Sequence, residues 1–346
     1  MMHIKVNKSN AELARRFIIK NDLLDNSFIV QHDDRNTYFP ISNNIYKANI
    51  KKLLKNHNFE IVDIIGKKRE INDYYKLINE RIGKNIAIDT GYDALGNIGI
   101  INPRHNTDKK ILRKLALCIL DSNNNIRTVL AKNGPVNGIY RTRKLSHIAG
   151  ERRYIASYKE NGAIFVFDVR RTFFSTRLSF ERSRLMKLSH DGECVTVLFA
   201  GIGPFAIEIA KLNPNSNIIG IEINPYAYKN MIKNIELNNT KNVHAVLGDV
   251  KKIYKKYASV SDRIIMPLPK TSYEFLDEAF FIAKNNCIVH LYAFVEINSG
   301  FDKLVEKLQS HAKSNGYSVE ILFYRVVRPY SAIEEEIVID YKIKKH

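Results

Sequence analysis

From residue 190 onward the chain repeats one unit: a short β-branched and apolar run, a turn, then a segment of helical spacing. CVTVLFA (194–200) leads through GIGPFA into a helix ending at Leu212. NIIGIEI (217–223) leads into the helical NPYAYKNMIKNIELN (224–238), and NVHAVLG (242–248) follows. DRIIMPLP (262–269), a helix at 272–284 and CIVHLYAFVE (287–296) continue the series. Apolar strands alternating with helices predict a doubly wound parallel sheet covered on both faces. After a helix at 301–314 the rhythm breaks. YSVEILFYRVVRPY (317–330) and EEIVIDYKIK (335–344) are strands with only a short link between them. Such a link cannot hold a crossover helix, so the last pair must be antiparallel.

Upstream the pattern differs. Residues 85–171 carry two strand-like runs in IAIDTGYDALGNIGIINP (86–103), a helix at 107–122 with Ile111, Leu115 and Ile119 in step, and short strands in 127–133, 138–150, 152–162 and 163–171. This predicts an α+β module with a basic surface. Residues 67–84 are polar and charged and read as a linker with helical content. Residues 1–66 predict a small α/β domain: strands at 28–31, 37–41 and 59–65 around a helix near 44–56. The glycine-looped region of alternating strands and helices is then the domain 172–346.

Charge narrows the partner. The 346 residues hold 54 Lys plus Arg against 36 Asp plus Glu, a formal net charge of +18. Such an excess calls for a polyanion, either nucleic acid or an anionic membrane. No apolar run is long enough to span a bilayer, MMHIKVNKSNAELARRF has no secretory apolar region, and the basic residues are spread along the chain. Cys118, Cys194 and Cys287 form no CxxC pair, which predicts reduced thiols, a cytoplasmic location and no metal site. Nucleic acid is therefore the expected partner.

The strand ends carry the candidate chemistry. Gly201-Ile202-Gly203 follows the first strand of the series, Glu222 ends the second, and Asp249 follows the third after Gly248. Glycines there let a ligand approach the backbone in the sheet's crevice. A dinucleotide fingerprint wants a third glycine where Ala206 stands behind Pro204, which disfavours a pyrophosphate turn and makes NAD the lesser reading. A carboxylate at Glu222 can accept both hydroxyls of a ribose, and Asp249 can meet an adenine. Taken singly, Glu222 could be a solvated strand end and Asp249 a helix N-cap.

Several motifs match one family in order. DVRRTFFSTRLSFER (168–182), VLFAGIGPFAIEIAK (197–211), IEINPYAYKNMIKNIELN (221–238), DRIIMPLPK (262–270) and RPYSAIEEEIVIDYKI (328–343) resemble the archaeal and eukaryotic tRNA guanine-37 N1-methyltransferases. GIYRTRKLSHIAGE (138–151) is similar to that family's middle domain, so the resemblance covers about 85–346; residues 1–66 match its N-terminal domain only loosely. The resemblance implies a class I, Rossmann-like methyltransferase sheet that binds S-adenosylmethionine (SAM). It implies methyl transfer to the purine at position 37 of tRNA, beside the anticodon, by a monomer. Removing the proton of guanine N1 makes that nitrogen nucleophilic, and Glu181 matches the family's proposed general base. Arg177 and Arg182 would stabilise charge on O6 or hold phosphate. Arg141 would reach the base, with Arg143 the near alternative; both could instead contact phosphates alone. Phe173 would also touch substrate. Cofactor contacts would come from Phe199, Gly201, Gly203 and Phe205, and from Glu222, Ile223, Asp249, Val250 and Pro267.

One position departs. The guanine-37 enzymes carry Asn-Leu-Pro after the fourth strand, and here the run is Met266-Pro267-Leu268-Pro269. Pro267 offers only a carbonyl where the family offers an amide. This resembles the archaeal branch that methylates N1 of guanosine 37 and later C7 of 4-demethylwyosine in tRNA(Phe). An N1-only enzyme with a neutral substitution, and a sibling that transfers the aminocarboxypropyl group of SAM, are the alternatives. The retained Leu-Pro and RLSFER favour methyl transfer. A non-enzymatic RNA-binding protein and an NAD-dependent oxidoreductase are the readings from other classes.

Overall fold

The computed structural model describes residues 1–21, 23–25, 28–42, 59–67, 73–83, 89–104, 107–134, 138–297 and 300–346. The chain divides into two compact units, Met1–Asp73 and Tyr74–His346.

In the first unit, β1 (Met2–Asn7), β2 (Gln31–His32), β3 (Asn36–Pro40) and β4 (Glu60–Asp63) form an antiparallel sheet in the order β2-β3-β1-β4. The helix Ala11–Lys20 supplies Ala14 and Ile18 to a small core with Ile4, Val6, Phe39 and Ile41. The strand expected at 28–31 contracts to Gln31–His32, and the helix expected near 44–56 lies outside the described residues.

The second unit draws in part of the stretch read as a linker. The helix Asp73–Arg81 places Tyr74 and Ile78, one helical turn apart, among Leu115, Cys118 and Ile119. β5 (Tyr92–Leu95), β6 (Ile98–Ile101), β7 (Thr128–Lys132) and β8 (Leu145–Gly150) follow in one sheet; β6 and β7 are parallel, joined through the helix Lys109–Ser122. β9 (Ile155–Glu160) and β10 (Ala163–Asp168) make a separate hairpin.

Two asparagines dock that hairpin onto the helix Pro225–Leu237 and the turn after it. Asn234 accepts from the Val166 N–H at 2.8 Å and donates to the Ile202 carbonyl at 3.1 Å. Asn238 accepts from the Ile164 N–H at 2.8 Å and donates to the Ile164 carbonyl at 2.7 Å. The free edge of β10 is thus satisfied by side chains, as a buried backbone edge must be. The same contacts tie the hairpin to the glycine loop.

The large sheet comprises β11 (Cys194–Leu198), β12 (Asn217–Glu222), β13 (Val243–Leu247), β14 (Ser261–Met266), β15 (Ala283–Glu296), β16 (Tyr317–Pro329) and β17 (Glu334–Lys345). Their order is β13-β12-β11-β14-β15-β17-β16, parallel through β15, with β17 antiparallel to both β15 and β16. This is the α/β layout expected from the alternation, including the closing hairpin. Preceding β11 is a helix, Ser179–Leu188, with no counterpart in the pattern reading. Two of its buried side chains, Glu181 and Arg182, are charged, so it shows no clean apolar stripe.

Candidate active site

The crevice at the carboxyl ends of β11, β12 and β13 is built by backbone conformation. Phe199, Gly201 and Gly203 all have positive φ, at 59°, 61° and 89°. A Cβ on Gly203 would come within 2.9 Å of Met231, so that glycine is required by packing as well as by φ. Around Gly201 the space is open; the nearest atom to a Cβ there is the Phe173 carbonyl oxygen, 3.9 Å away. The Glu222 carboxylate is pinned by two backbone donors, Gly201 N–H at 2.6 Å and Asn224 N–H at 2.7 Å. Burial raises its pKa against those two hydrogen bonds. Asp249 caps the next helix by accepting from the Lys251 N–H at 3.0 Å.

A second cluster lies under the antiparallel end of the sheet. Glu181 is 1% exposed. Its Oε2 accepts from the Tyr292 hydroxyl and from Arg184 Nε, each at 2.9 Å. Its Oε1 lies 3.3 Å from an Arg325 nitrogen and accepts no hydrogen bond from the described residues. Tyr292 packs its ring on Phe205, in the first turn of the helix that follows the glycine loop. Arg184 also holds Asp340 at 2.5 Å, and Asp340 accepts from His290 at 2.7 Å. Burial pushes Asp340 up, but His290 and Arg184 outweigh it and bring the group to about 2. Nearer the rim, Phe294 stacks on Tyr330 and Arg328 holds Glu336 at 2.6 Å.

Family models match three consecutive pieces of the chain. The tRNA methyltransferase 5 N-terminal domain matches residues 4–49, the TYW2 N-terminal domain 74–153, and the TRM5/TYW2 methyltransferase domain 156–320. A tRNA (guanine(37)-N(1))-methyltransferase, Trm5b of Pyrococcus abyssi, is 32% identical over 342 residues, 98% of each chain. The chain belongs to the TRM5/TYW2 methyltransferase family. The tRNA (guanine(37)-N(1))/4-demethylwyosine(37)-methyltransferase Taw22 of Nanoarchaeum equitans is 29% identical over 294 residues, 69% of this chain and 96% of that one. Among solved structures, the complex of aTrm5 and tRNALeu gives a TM-score of 0.70 at 29% identity, covering 99% of each chain. Methanocaldococcus jannaschii Trm5 in complex with adenosine gives 0.70 at 29% identity, covering all of both chains.

In this TRM5/TYW2 chain the crevice fits the nucleoside of SAM. It has an open glycine turn and a fixed carboxylate whose remaining lone pairs suit a ribose diol. Several expected contacts need correction. Arg182 is 2% exposed, paired with Glu160 and close to Glu208, so it is not available to phosphate or base. Phe205 and Val250 have their side chains in the core, leaving only their backbone to the crevice. Arg177 is exposed and pairs with Asp93 at 3.3 Å. The remaining expectations stay at the surface of the site. Phe173 is exposed and carries the Arg141 guanidinium 5.2 Å from its ring centroid. Arg143 is half-buried, with an Nε that has no partner among the described residues. Ile223 is half-buried beside Glu222, and Pro267 is half-buried in a loop fixed by Ser272, whose hydroxyl donates to the Met266 and Leu268 carbonyls. Tyr292, Arg184, Arg325 and Asn224 were not singled out in the sequence. The signal for the first is the run His290, Tyr292, Phe294: alternate bulky or polar positions on one face of an otherwise apolar strand.

Proposed function

We propose that this chain methylates N1 of guanosine 37 in tRNA, with SAM as methyl donor. The observation that carries the reading is Glu181: a buried carboxylate whose Oε1 faces Arg325 at 3.3 Å and accepts no hydrogen bond among the described residues, linked through Tyr292 and Phe205 to the helix that follows the glycine turn. Bound SAM supplies an electrophilic methyl group. Glu222, held by Gly201 and Asn224, takes the ribose hydroxyls, and Asp249 meets the adenine. Arg141 leaves Phe173 for the O6 of the target base and meets the charge that develops there. Glu181 Oε1 would accept the N1 proton, leaving the nitrogen nucleophilic toward the methyl group that bound SAM would supply and from which the sulfur would depart as the thioether. Tyr292 and Arg184 fix the orientation of the carboxylate. The base must leave its stack to arrive here, which is easier in a loop than in a duplex. Basic residues of the middle module, with Lys144, Arg152 and Arg153 exposed, hold the anticodon stem-loop by its phosphates.

A second reading, favoured by Pro267, adds C7 methylation of 4-demethylwyosine in tRNA(Phe). An apolar ring beside the pocket leaves more room for a tricyclic base than an amide does. The Taw22 relative has both reactions in its name. Methyl incorporation from labelled SAM into transcripts carrying G37 or A37 tests the primary reading: incorporation should require G37, and equal labelling of both would contradict it.

A further inference from the structure

Two residues before Val338 on β17, opposite Phe294 where Val338 is opposite Tyr292, the same face of the sheet carries a second buried carboxylate. Glu336 is 1% exposed. Its Oε2 accepts from Arg328 Nε at 2.6 Å, while its Oε1 is buried with no hydrogen-bond partner among the described residues. It sits opposite Phe294 on β15, whose N–H donates to the Pro269 carbonyl at 2.9 Å and whose ring stacks on Tyr330 at 3.9 Å. Burial raises its pKa, against the charges of Arg328 and Arg141, and the Glu181 carboxylate is close enough to add to the rise. Leaving a buried carboxylate oxygen without a donor is costly, so a fold that keeps one has a use for it.

The Arg141 guanidinium rests on Phe173, whose carbonyl oxygen borders the open space at Gly201, and burial lowers its pKa against the charges of Glu336 and Tyr330. The φ of Arg141 is 53°, a conformation that L side chains rarely adopt. Strand register brings the two carboxylates into one neighbourhood: Arg325, which meets Glu181 at 3.3 Å, stands opposite Val338, and Arg328, which holds Glu336, stands two pairs further along the same strands; each carboxylate has an oxygen that accepts no hydrogen bond among the described residues. The Watson–Crick edge of guanine has the complementary order: the O6 acceptor, then the N1–H and the exocyclic N2–H donors. With Arg141 on O6 and Glu181 on N1, the remaining donor needs an acceptor beside Glu181. Pro267 brings no side-chain acceptor to that edge.

We infer that Glu336 is a specificity residue of the acceptor pocket, taking a hydrogen bond from the exocyclic amino group of guanine 37 through Oε1. The inference rests on the guanine reading of Glu181. It distinguishes guanine from inosine, which has the same O6 and N1–H but no amino group. Inosine would leave the Glu336 oxygen buried and unpaired, as in the free protein, and would forgo a charge-assisted hydrogen bond.

The test compares kcat/KM on one tRNA transcript carrying either G37 or inosine 37, for the parent, Glu336→Ala and Glu336→Gln. The parent should favour G37 by roughly tenfold to a hundredfold, the range for one lost hydrogen bond to a charged group. Glu336→Ala should bring G37 down to the inosine level and leave the inosine rate within about threefold of the parent. Glu336→Gln keeps the size and a neutral acceptor, so its G37 preference should be intermediate; it decides the matter if the alanine variant does not fold. Parental use of both bases at equal rates, or a preference unchanged in both variants, overturns the inference. A purely structural role through Arg328 would lower both rates together and keep their ratio, and that result overturns it too. A parent inactive at N1 of G37 would instead refute the function proposed above.

Discussion

The Tyr292 hydroxyl donates to Glu181 Oε2 at 2.9 Å, joining residues 111 positions apart. The bond links the helix before the sheet to its fifth parallel strand. Glu181→Ala should lose methyl transfer by about 10²–10⁴ while SAM still binds, because the residue has no part in the glycine turn. Tyr292→Phe should keep the fold and SAM binding and lose a smaller part of the rate. Single-turnover rates and calorimetry separate these effects; parental transfer by Glu181→Ala would remove it as the base.

Glu222→Ala should show the converse. The variant removes the carboxylate that pins Gly201 and that we propose takes the ribose hydroxyls, so SAM affinity should fall about tenfold to a hundredfold. Calorimetric titration with SAM checks this, and parental affinity would move the nucleoside elsewhere.

The parallel sheet was legible because each strand and its following helix are continuous in sequence, and so were the glycine turn and Glu222. The helix Ser179–Leu188 was not, since Glu181 and Arg182 are buried where an amphipathic pattern expects apolar residues. Arg182 looked like a surface cation in RLSFER, yet its partner Glu160 comes from β9, 22 residues away. The Glu336–Arg328 pair was hidden by register. β16 shifts between Val326 and Arg328, so one extra residue brings Arg328 rather than Val327 opposite Glu336. Such a bulge changes which side chains share a face, and nothing local in the sequence announces it.

Glu208 should make stability depend on pH. Burial, reinforced by its hydrogen bond to Glu160, pushes it up to about 8, against its hydrogen bond from Asn161 and the charge of Arg182. Glu160 is also desolvated, but Arg182 brings it below its ordinary value. For Glu208 the folded state keeps a proton that the unfolded chain loses near 4.5, its ordinary value. Its contribution is therefore whole below that pH and declines as pH rises toward 8. Glu208→Gln mimics the neutral acid. It should melt with the parent at pH 5 and above it at pH 8.5; an offset equal at both values would show that Glu208 does not titrate between them.

Binding of tRNA should weaken steeply with salt if the +18 charge serves phosphate contacts. Raising salt from about 50 to 200 mM should lower affinity at least tenfold, and Arg152→Ala combined with Arg153→Ala should flatten the slope. Fluorescence anisotropy with labelled tRNA measures both; a flat salt response would contradict the phosphate role.

Pro267→Asn should keep N1 methylation and lose C7 methylation of 4-demethylwyosine. The added amide can be paired by guanine, but against a larger ring it is crowded or unsatisfied, at a cost of roughly 1–3 kcal/mol. Retention of both reactions by the variant would make the proline neutral.

The most direct measurement is nucleoside mass spectrometry of a tRNA(Phe) transcript with G37, incubated with the protein and SAM. The expected product is 1-methylguanosine, mapped to position 37 and absent with Glu181→Ala. An unmodified transcript, or a methyl group on another nucleoside, would contradict the assignment of Glu181 and its pocket to N1 of guanosine 37.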